Sequence, residues 1–300
     1  MRNETNRVAA SRGRAAAVLT LLAGALALAG CGGDSSSSQD RAFESVTPSS
    51  AQAPEANGPS ADDPNAMRPN VQSNTGAKEA IDLLPAVPEA FPQPRPNVVG
   101  SGKAGLDVFM ARIATDVSNV WKQAFAEAGL PYAPAKVVIV KPGQKARSIC
   151  GNHVVVSFDP VGPFYCPADR KIFLPLQLID KLIYKKYGDF AVAYAVSHEW
   201  AHRIQDLLGS LDARNQGKLL TIQIETQADC FAGVWARTAY RRGLLEKGDI
   251  QEAIKVEDLI GDADGTPETD PNAHGRSGLR AAWFLTGYET GKASDCKTFG

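Results

Sequence analysis

Apolar residues recur every three or four positions in several stretches of the chain from residue 103 onward, which predicts amphipathic helices. Helices are predicted over residues 106–124, 176–187, 189–208, 219–239, 250–260 and 277–288. Gly188 and Gly209 separate the third of these helices from its neighbours, since glycine often follows the last residue of a helix. Asp189 is the predicted N-cap of that third helix.

Three short runs have the β-branched and aromatic composition of strands. They cover residues 137–140, 154–158 and 172–174, and Pro, Gly and Asp residues bound them. The predicted fold class is therefore α+β, a mostly helical domain with one small β-sheet. This domain is expected to cover residues 101–300.

Residues 1–100 differ in composition from this domain. Residues 1–31 combine four arginines, a short Ala/Leu run and the ending L-A-G-C, a pattern typical of an export signal. The ending resembles the lipobox of bacterial lipoproteins, in which the cysteine carries the lipid, although a plain secretory signal or a membrane span is the alternative. Residues 32–100 hold ten of the nineteen prolines and a serine run, which predicts a disordered tether. We therefore expect an extracytoplasmic protein that lipid on Cys31 anchors to the membrane of a bacterial cell.

Four cysteines remain after Cys31, and an even number in an exported chain indicates two disulfide bonds. Three connectivities are possible, and sequence order favours Cys150–Cys166 together with Cys230–Cys296. A metal-ligating thiolate at Cys230 is the alternative for that residue. The net charge is -1, and the folded part has no basic patch of the kind that binds nucleic acid, so nucleic acid is not an expected partner.

The helix over residues 189–208 contains the motif H-E-x-x-H, formed by His198, Glu199 and His202. Residues four apart lie on one face of a helix, so both imidazoles can bind the same metal ion. Glu199 points about 100° around the helix from His198, where it can reach a water molecule without being a ligand itself. Two buried imidazoles and a buried glutamate without a metal would carry a high desolvation cost, which favours a metal site.

A catalytic zinc site needs three protein ligands and one open position, so this motif is incomplete by itself. The next helix contains Glu225 and Asp229, four residues apart and on one helix face. Glu225 is the predicted third ligand, and Asp229 is predicted to accept the outer N–H of a ligating histidine. The pattern thus predicts one Zn²⁺ per chain in a His₂Glu site, the ligand set of thermolysin-type enzymes.

Several separated motifs resemble, in order, those of the bacterial neutral zinc metallopeptidase family. They are G-P-F-Y-C-P-A-D at 162–169, S-H-E-W-A-H-R-I-Q at 197–205, E-T-Q-A-D-C-F-A-G-V-W-A at 225–236 and H-G-R-S-G-L-R-A-A-W-F at 274–284, followed by Cys296. The resemblance covers residues 103–299 and implies a zincin-like fold. It also implies that both motif histidines and Glu225 bind zinc and that Glu199 is catalytic. Where the family often has a second histidine, this chain has Arg203, which is expected to make the rim of the site more basic.

The expected activity is zinc-dependent hydrolysis of peptide bonds in a peptide or protein substrate, with the motif glutamate as general base. His274 is a candidate for stabilising the developing oxyanion, and Arg276 and Tyr240 are alternatives. The substrate backbone is expected to pair with a strand edge at 154–158 or 172–174. Two other functions stay open: a zinc-containing binding or assembly lipoprotein without turnover, and a hydrolase that cuts peptidoglycan stem peptides.

Overall fold

The computed structural model describes residues 80–86, 105–215 and 217–299 of the chain. The predicted signal sequence with Cys31, and most of the predicted tether, lie outside the described residues. The helices are α1 (Leu106–Glu127), α2 (the consecutive segments Leu176–Leu178, Ile179–Tyr184 and Lys185–Tyr187), α3 (Asp189–Leu208), α4 (Ser210–Asn215), α5 (Thr221–Arg241), α6 (Asp249–Ile260) and α7 (Ser277–Thr290). The strands are β1 (Lys136–Val140), β2 (Lys145–Arg147), β3 (Val154–Val156), β4 (Phe164–Cys166) and β5 (Lys171–Pro175).

The predicted helices are all present, and the α+β class with a mostly helical composition is confirmed. The short helix α4 lies where a polar loop was expected, and the middle segment of α2 is π-helical. Within the described part of the chain, no helix is long and apolar enough to cross a membrane.

The strands form two sheets, so the prediction of one small sheet was wrong. One sheet has the order β1-β5-β4, and the other is the hairpin β2-β3. In the first sheet β5 pairs in parallel with β1 and antiparallel with β4. Because both edges of β5 are already hydrogen-bonded, residues 172–174 cannot accept a substrate strand, and that suggestion was wrong.

Helix α3 runs through the centre of the hydrophobic core. Seventeen of its 20 residues are buried, which leaves little solvent-exposed face, and it packs against α1, α5 and α6. A helix that is apolar around most of its circumference is an interior helix. The H-E-x-x-H motif is therefore held in place by packing on several sides.

Helices α5 and α7 approach each other so closely that side chains are excluded from the contact. A Cβ atom at Gly233 would collide with the backbone of Phe284, and one at Gly287 would collide with the backbone of Cys230. Glycine permits this because it has no side chain. The close packing brings α7 against the face of α5 that carries the predicted metal-site residues.

The start of α3 is capped by a residue distant in sequence rather than by Asp189. The helix begins at Asp189, but the flanking Gly188 makes no side-chain cap and has φ 107°. The backbone N–H of Phe190 instead donates a 3.0 Å hydrogen bond to the carboxylate of Glu252 on α6. The predicted capping role of Asp189 was therefore wrong, since a tertiary contact satisfies the free N–H group.

Two disulfide bonds, Cys150–Cys166 and Cys230–Cys296, join the pairs that sequence order favours. The first ties the turn between β2 and β3 to β4, and so links the two sheets. The second ties α5 to the segment that follows α7. Since Cys230 is bonded to Cys296, it is not a metal-ligating thiolate.

Residues 80–86, which were predicted to belong to the tether, pack on the folded domain. Ile81 and Leu84 are buried in the main core, and Ala86 forms an isolated antiparallel bridge with Lys292. This short part of the predicted tether therefore contributes to the core of the folded domain.

Candidate metal centre

The two histidines of the motif lie one helical turn apart on α3 and face the same carboxylate on α5. Their ring centroids are 4.7 Å apart. The Nε2 atom of His198 lies 3.3 Å from Oε2 of Glu225, and the Nε2 atom of His202 lies 3.7 Å from Oε1. Each imidazole therefore faces a different oxygen of one carboxylate.

These distances fit a zinc ion. Ligand atoms about 2.0–2.1 Å from a tetrahedral zinc lie roughly 3.3–3.4 Å from one another. The potential ligand atoms of His198, His202 and Glu225 lie within 4.8 Å of one another. Two imidazoles and a carboxylate are also a common ligand set of catalytic zinc. The three side chains, each mostly buried, would hold the ion between the packed helices α3 and α5.

The outer nitrogen of His198 is held by a charged cluster. Its Nδ1 donates to Oδ1 of Asp229 at 2.8 Å, and the hydroxyl of Tyr194 donates to the same oxygen at 2.5 Å. Arg280 on α7 donates from Nε and Nη2 to the two oxygens of Asp229, at 2.9 and 2.8 Å. Asp229, which is fully buried, thus accepts the outer N–H of a histidine as predicted from its position.

The charges of this cluster shift the pKa values of its members. Burial lowers the pKa of His198, but the charge and hydrogen bond of Asp229 and the hydrogen bond of Glu225 outweigh it and raise the pKa to about 10. Burial raises the pKa of Asp229, but the charges of Arg280 and His198 hold it below its ordinary value. Asp229 is therefore a carboxylate at neutral pH, and a metal ion bound here would have to compete with a proton on His198.

Glu257 on α6 completes this cluster and also faces Nε of Arg280. Its Oε2 lies 3.2 Å from Nε of Arg280, and its side chain is buried. Burial and the nearby charge of Asp229 raise the pKa of Glu257 to about 8, although Arg280 opposes this shift. Two buried carboxyl groups thus share one guanidinium, and only Asp229 is ionised at neutral pH.

The outer nitrogen of His202 is held by neutral amides instead. Its Nδ1 lies 2.8 Å from Oε1 of Gln205, one turn further along α3. Nε2 of Gln205 donates to the carbonyl of Ile224 at 2.7 Å and to Oε1 of Gln227 at 3.1 Å. Nε2 of Gln227 in turn donates to the carbonyl of Cys296 at 3.1 Å.

The remaining acidic groups of the site differ in their surroundings. Burial raises the pKa of Glu225, but the charge of His202 and the hydrogen bond from His198 are stronger, so the pKa lies well below its ordinary value. Glu225 is therefore present as a carboxylate, the form in which it could bind a metal ion. Glu199 is largely buried, and among the residues that the structure describes no hydrogen bond or ion pair engages its carboxylate.

The three candidates for oxyanion stabilisation lie in different places. His274 is among the groups that lower the pKa of Glu225, after His202 and His198, so it is within electrostatic reach of the site. Its backbone N–H donates to Asp262 at 2.8 Å. Arg276 flanks the start of α7. Tyr240 follows Glu225 by 15 residues on α5, about 22 Å along the helix axis, so the structure places it away from the site.

Arg203 does not contribute to the rim of the site. Its side chain is buried and donates to the carbonyl of Ala133, to the hydroxyl of Tyr165 and to the carboxylate of Asp206. The expectation of a more basic rim was therefore wrong. A residue directly after His202 points about 100° around the helix from it, which here means into the protein interior.

Sequence reasoning missed Gln205, Gln227, Tyr194, Arg280 and Glu257. A signal for the glutamines was present, since both are uncharged polar residues inside strongly apolar helical stretches, and Gln205 lies three positions after His202. Arg280 lies within one of the family motifs, but nothing in its sequence neighbours indicates its partner. No pattern in the sequence around Glu257 indicates that it lies near the site.

A sequence model of the family described as "Putative neutral zinc metallopeptidase" matches residues 86–299. The chain belongs to this family. This metallopeptidase-family chain is 34% identical over 209 residues to the uncharacterised protein YpfJ of Escherichia coli K12. The alignment covers 64% of the chain and 71% of YpfJ. It is 36% identical over 163 residues to the uncharacterised protein Rv2575 of Mycobacterium tuberculosis H37Rv, covering 46% of the chain and 55% of that relative. No solved structure matches it.

Proposed function

We propose that this protein is a zinc-dependent peptidase. The observation that carries the proposal is the convergence of His198, His202 and Glu225, whose facing nitrogen and oxygen atoms are 3.3 and 3.7 Å apart. His198, His202 and Glu225 would hold a zinc ion there, which would supply a Lewis acid to polarise the scissile carbonyl and acidify a water molecule. Membership of a zinc metallopeptidase family supports peptide bonds as the substrate class.

Glu199 performs the proton transfers in this proposal. It follows His198 directly on α3, and the helix spacing of about 100° per residue would let its carboxylate reach a metal-bound water without being a ligand. No partner among the described residues competes for it, so it is available to take the proton of the attacking water and return it to the leaving nitrogen. His274 is the candidate that would donate a hydrogen bond to the developing oxyanion.

The proposed location is outside the cytoplasm, with the protein anchored by lipid to a membrane of the bacterial envelope. The ending L-A-G-C at residues 28–31, which lies outside the described residues, supports lipid attachment at Cys31. The pairs Cys150–Cys166 and Cys230–Cys296 support an oxidising compartment, because disulfide bonds are rare in the cytoplasm. The proline-rich stretch between the anchor and the domain would give the active site its reach from the membrane.

The test is the variant Glu199→Gln, which keeps the size of the side chain and removes its basicity. It should bind zinc as the wild type does, at about one equivalent per chain, and should lose about 100- to 10,000-fold in hydrolysis of a peptide library. His202→Ala is the comparison, since it should lose the metal as well. Hydrolysis that survives in Glu199→Gln would disprove the assigned role.

The substrate is addressed by comparing the proteins cleaved by the wild type and by Glu199→Gln. Purified sacculi form a second arm, in which released muropeptides would redirect the proposal to peptidoglycan stem peptides. Tight binding of a hydroxamate inhibitor without cleavage of any substrate would instead favour a zinc-containing binding protein.

A further inference from the structure

We propose that Gln205 is a positioning residue that fixes the tautomer and orientation of His202. The inference rests on the proposed function only in its consequence for zinc, because the tautomer itself is a property of the metal-free protein. The hydrogen bond from His202 Nδ1 to Oε1 of Gln205 is 2.8 Å long, and Gln205 is fully buried.

The orientation of the Gln205 amide follows from what surrounds its other end. The carbonyl of Ile224, 2.7 Å from Nε2 of Gln205, belongs to the backbone and can only accept. Turning the amide over would bring two acceptor oxygens together at this short distance. The NH₂ group of Gln205 must therefore face Ile224, and its oxygen must face His202.

Gln227 applies the same constraint a second time. Its Nε2 donates to the carbonyl of Cys296 at 3.1 Å, so its Oε1 faces Gln205 and accepts the second N–H of that amide. Gln227 and Cys296 are fully buried as well. Two backbone carbonyls thus set the direction of every hydrogen bond between them and the imidazole.

The consequence reaches the metal-binding nitrogen. An oxygen facing Nδ1 requires the neutral His202 ring to carry its hydrogen on Nδ1, which leaves the lone pair on Nε2. That nitrogen is the one that lies 3.7 Å from Glu225. Gln205 therefore presents His202 to the site in the form that can bind a cation.

The hydrogen bonds from His202 through Gln205 and Gln227 to the carbonyl of Cys296 are called the amide relay here. The relay ends in the segment after α7. Cys296 is bonded to Cys230 on α5, and Cys230 directly follows Asp229, which holds His198. The disulfide bond thus joins the acceptor at the end of the amide relay to the helix that orients the other histidine.

The first experiment measures the tautomer directly. The full chain, free of metal and labelled with ¹⁵N at histidine, would be studied by long-range ¹H–¹⁵N correlation, with His202→Gln used to assign one of only four histidines. Neutral His202 should show the pattern of an Nδ1-protonated ring. An Nε2-protonated ring in the wild type would overturn the proposal without any variant being needed.

The second experiment replaces Gln205 by methionine, which has a similar length and no acceptor oxygen. His202 should then lose its preference for Nδ1 protonation, and the affinity for zinc in a chelator competition should fall about 10- to 100-fold. Unchanged affinity together with an unchanged tautomer would overturn the proposal. If the variant does not fold, the tautomer in the wild type decides.

The matched control is Gln223→Met on the same helix as Gln227. Gln223 also donates to a carbonyl of the C-terminal segment, that of Thr298 at 3.2 Å, but it contacts neither histidine. It should leave both the tautomer and the zinc affinity unchanged, and an effect equal to that of Gln205→Met would overturn the proposal. A wild type that binds no zinc at all would refute the proposed function, while the tautomer would still decide this inference.

Discussion

The two motif histidines, one turn apart on one helix, are supported by opposite kinds of chemistry. His198 is backed by the ionised Asp229, which Arg280 holds by two hydrogen bonds. His202 is backed by the uncharged amides of Gln205 and Gln227. A buried anion requires a buried cation to offset its desolvation, whereas an amide relay needs only backbone carbonyls.

The difference shows how the site keeps its total charge small. Asp229 and Arg280 cancel each other, and burial together with the charge of Asp229 raises the pKa of Glu257 to about 8, so that Glu257 is neutral near pH 7. The amide relay adds no charge. Glu225 is therefore the one candidate ligand that would carry a negative charge toward a bound cation, which would suit a zinc site whose water must still be acidified.

The comparison predicts that the charged side contributes more to stability than the neutral side. Asp229→Asn should lower the free energy of unfolding of the metal-free protein by about 3–5 kcal/mol, because it leaves the buried guanidinium of Arg280 without its main partner. Urea denaturation at pH 7 measures this difference.

Gln227→Leu is the counterpart on the neutral side. It removes one donor and one acceptor, and should cost about 1–3 kcal/mol because the carbonyl of Cys296 and one N–H of Gln205 lose their partner. Equal losses of unfolding free energy in Asp229→Asn and Gln227→Leu would contradict the difference between the charged groups that hold His198 and the amides that hold His202.

Removal of the disulfide bonds provides a second test of this comparison, with a somewhat smaller expected loss of stability than Asp229→Asn. Replacing Cys230 and Cys296 together by alanine should cost about 2–4 kcal/mol in stability. It should also weaken zinc binding, because Cys296 anchors the amide relay and Cys230 neighbours Asp229. Thermal unfolding and chelator competition on the purified variant measure the two effects.

The Cys150 and Cys166 double alanine variant is the control. That disulfide joins the two sheets and belongs to neither group of residues that holds His198 and His202. Its loss should therefore lower the melting temperature and leave zinc affinity unchanged. A comparable loss of zinc affinity in both variants would show that general destabilisation, and not the relay, affects the site.

The convergence of the candidate ligands could be predicted because their geometry is local. His198 and His202 are four residues apart, as are Glu225 and Asp229, and the helix period alone places each pair on one face. The helices were predictable for the same reason, since apolar periodicity is a property of each segment by itself.

The supports could not be predicted, because they join residues distant in sequence. Arg280 lies 51 residues from Asp229, and the cap of α3 is supplied by Glu252, 62 residues from Phe190. The pairing of β5 with both β1 and β4 likewise depends on tertiary packing, which a run of three apolar residues does not encode. Local patterns thus determine which residues can be ligands, and the packing of α5 against α7 determines what holds them.

Glu257 offers the most specific test of the charged groups around His198, because it isolates one titration. Burial and the charge of Asp229 raise its pKa from 4.5 to about 8 in the folded protein. Between these values the folded state binds a proton that the unfolded state has released. The contribution of Glu257 to stability is therefore present below pH 4.5 and is lost as the pH rises toward 8.

Glu257→Gln should remove this dependence, because a glutamine has the shape of the neutral acid and does not ionise. In metal-free protein the variant and the wild type should have similar free energies of unfolding at pH 5, and the variant should be the more stable of the two at pH 8. Chemical denaturation at both values measures the difference, in which the titrations of other groups largely cancel. Parallel profiles would mean that Glu257 is already ionised at pH 5 and shares Arg280 as a second anion. Asp229, Arg280 and Glu257 together would then carry a net negative charge. The difference in charge between this cluster and the uncharged amides that hold His202 would be larger than a raised pKa of Glu257 implies.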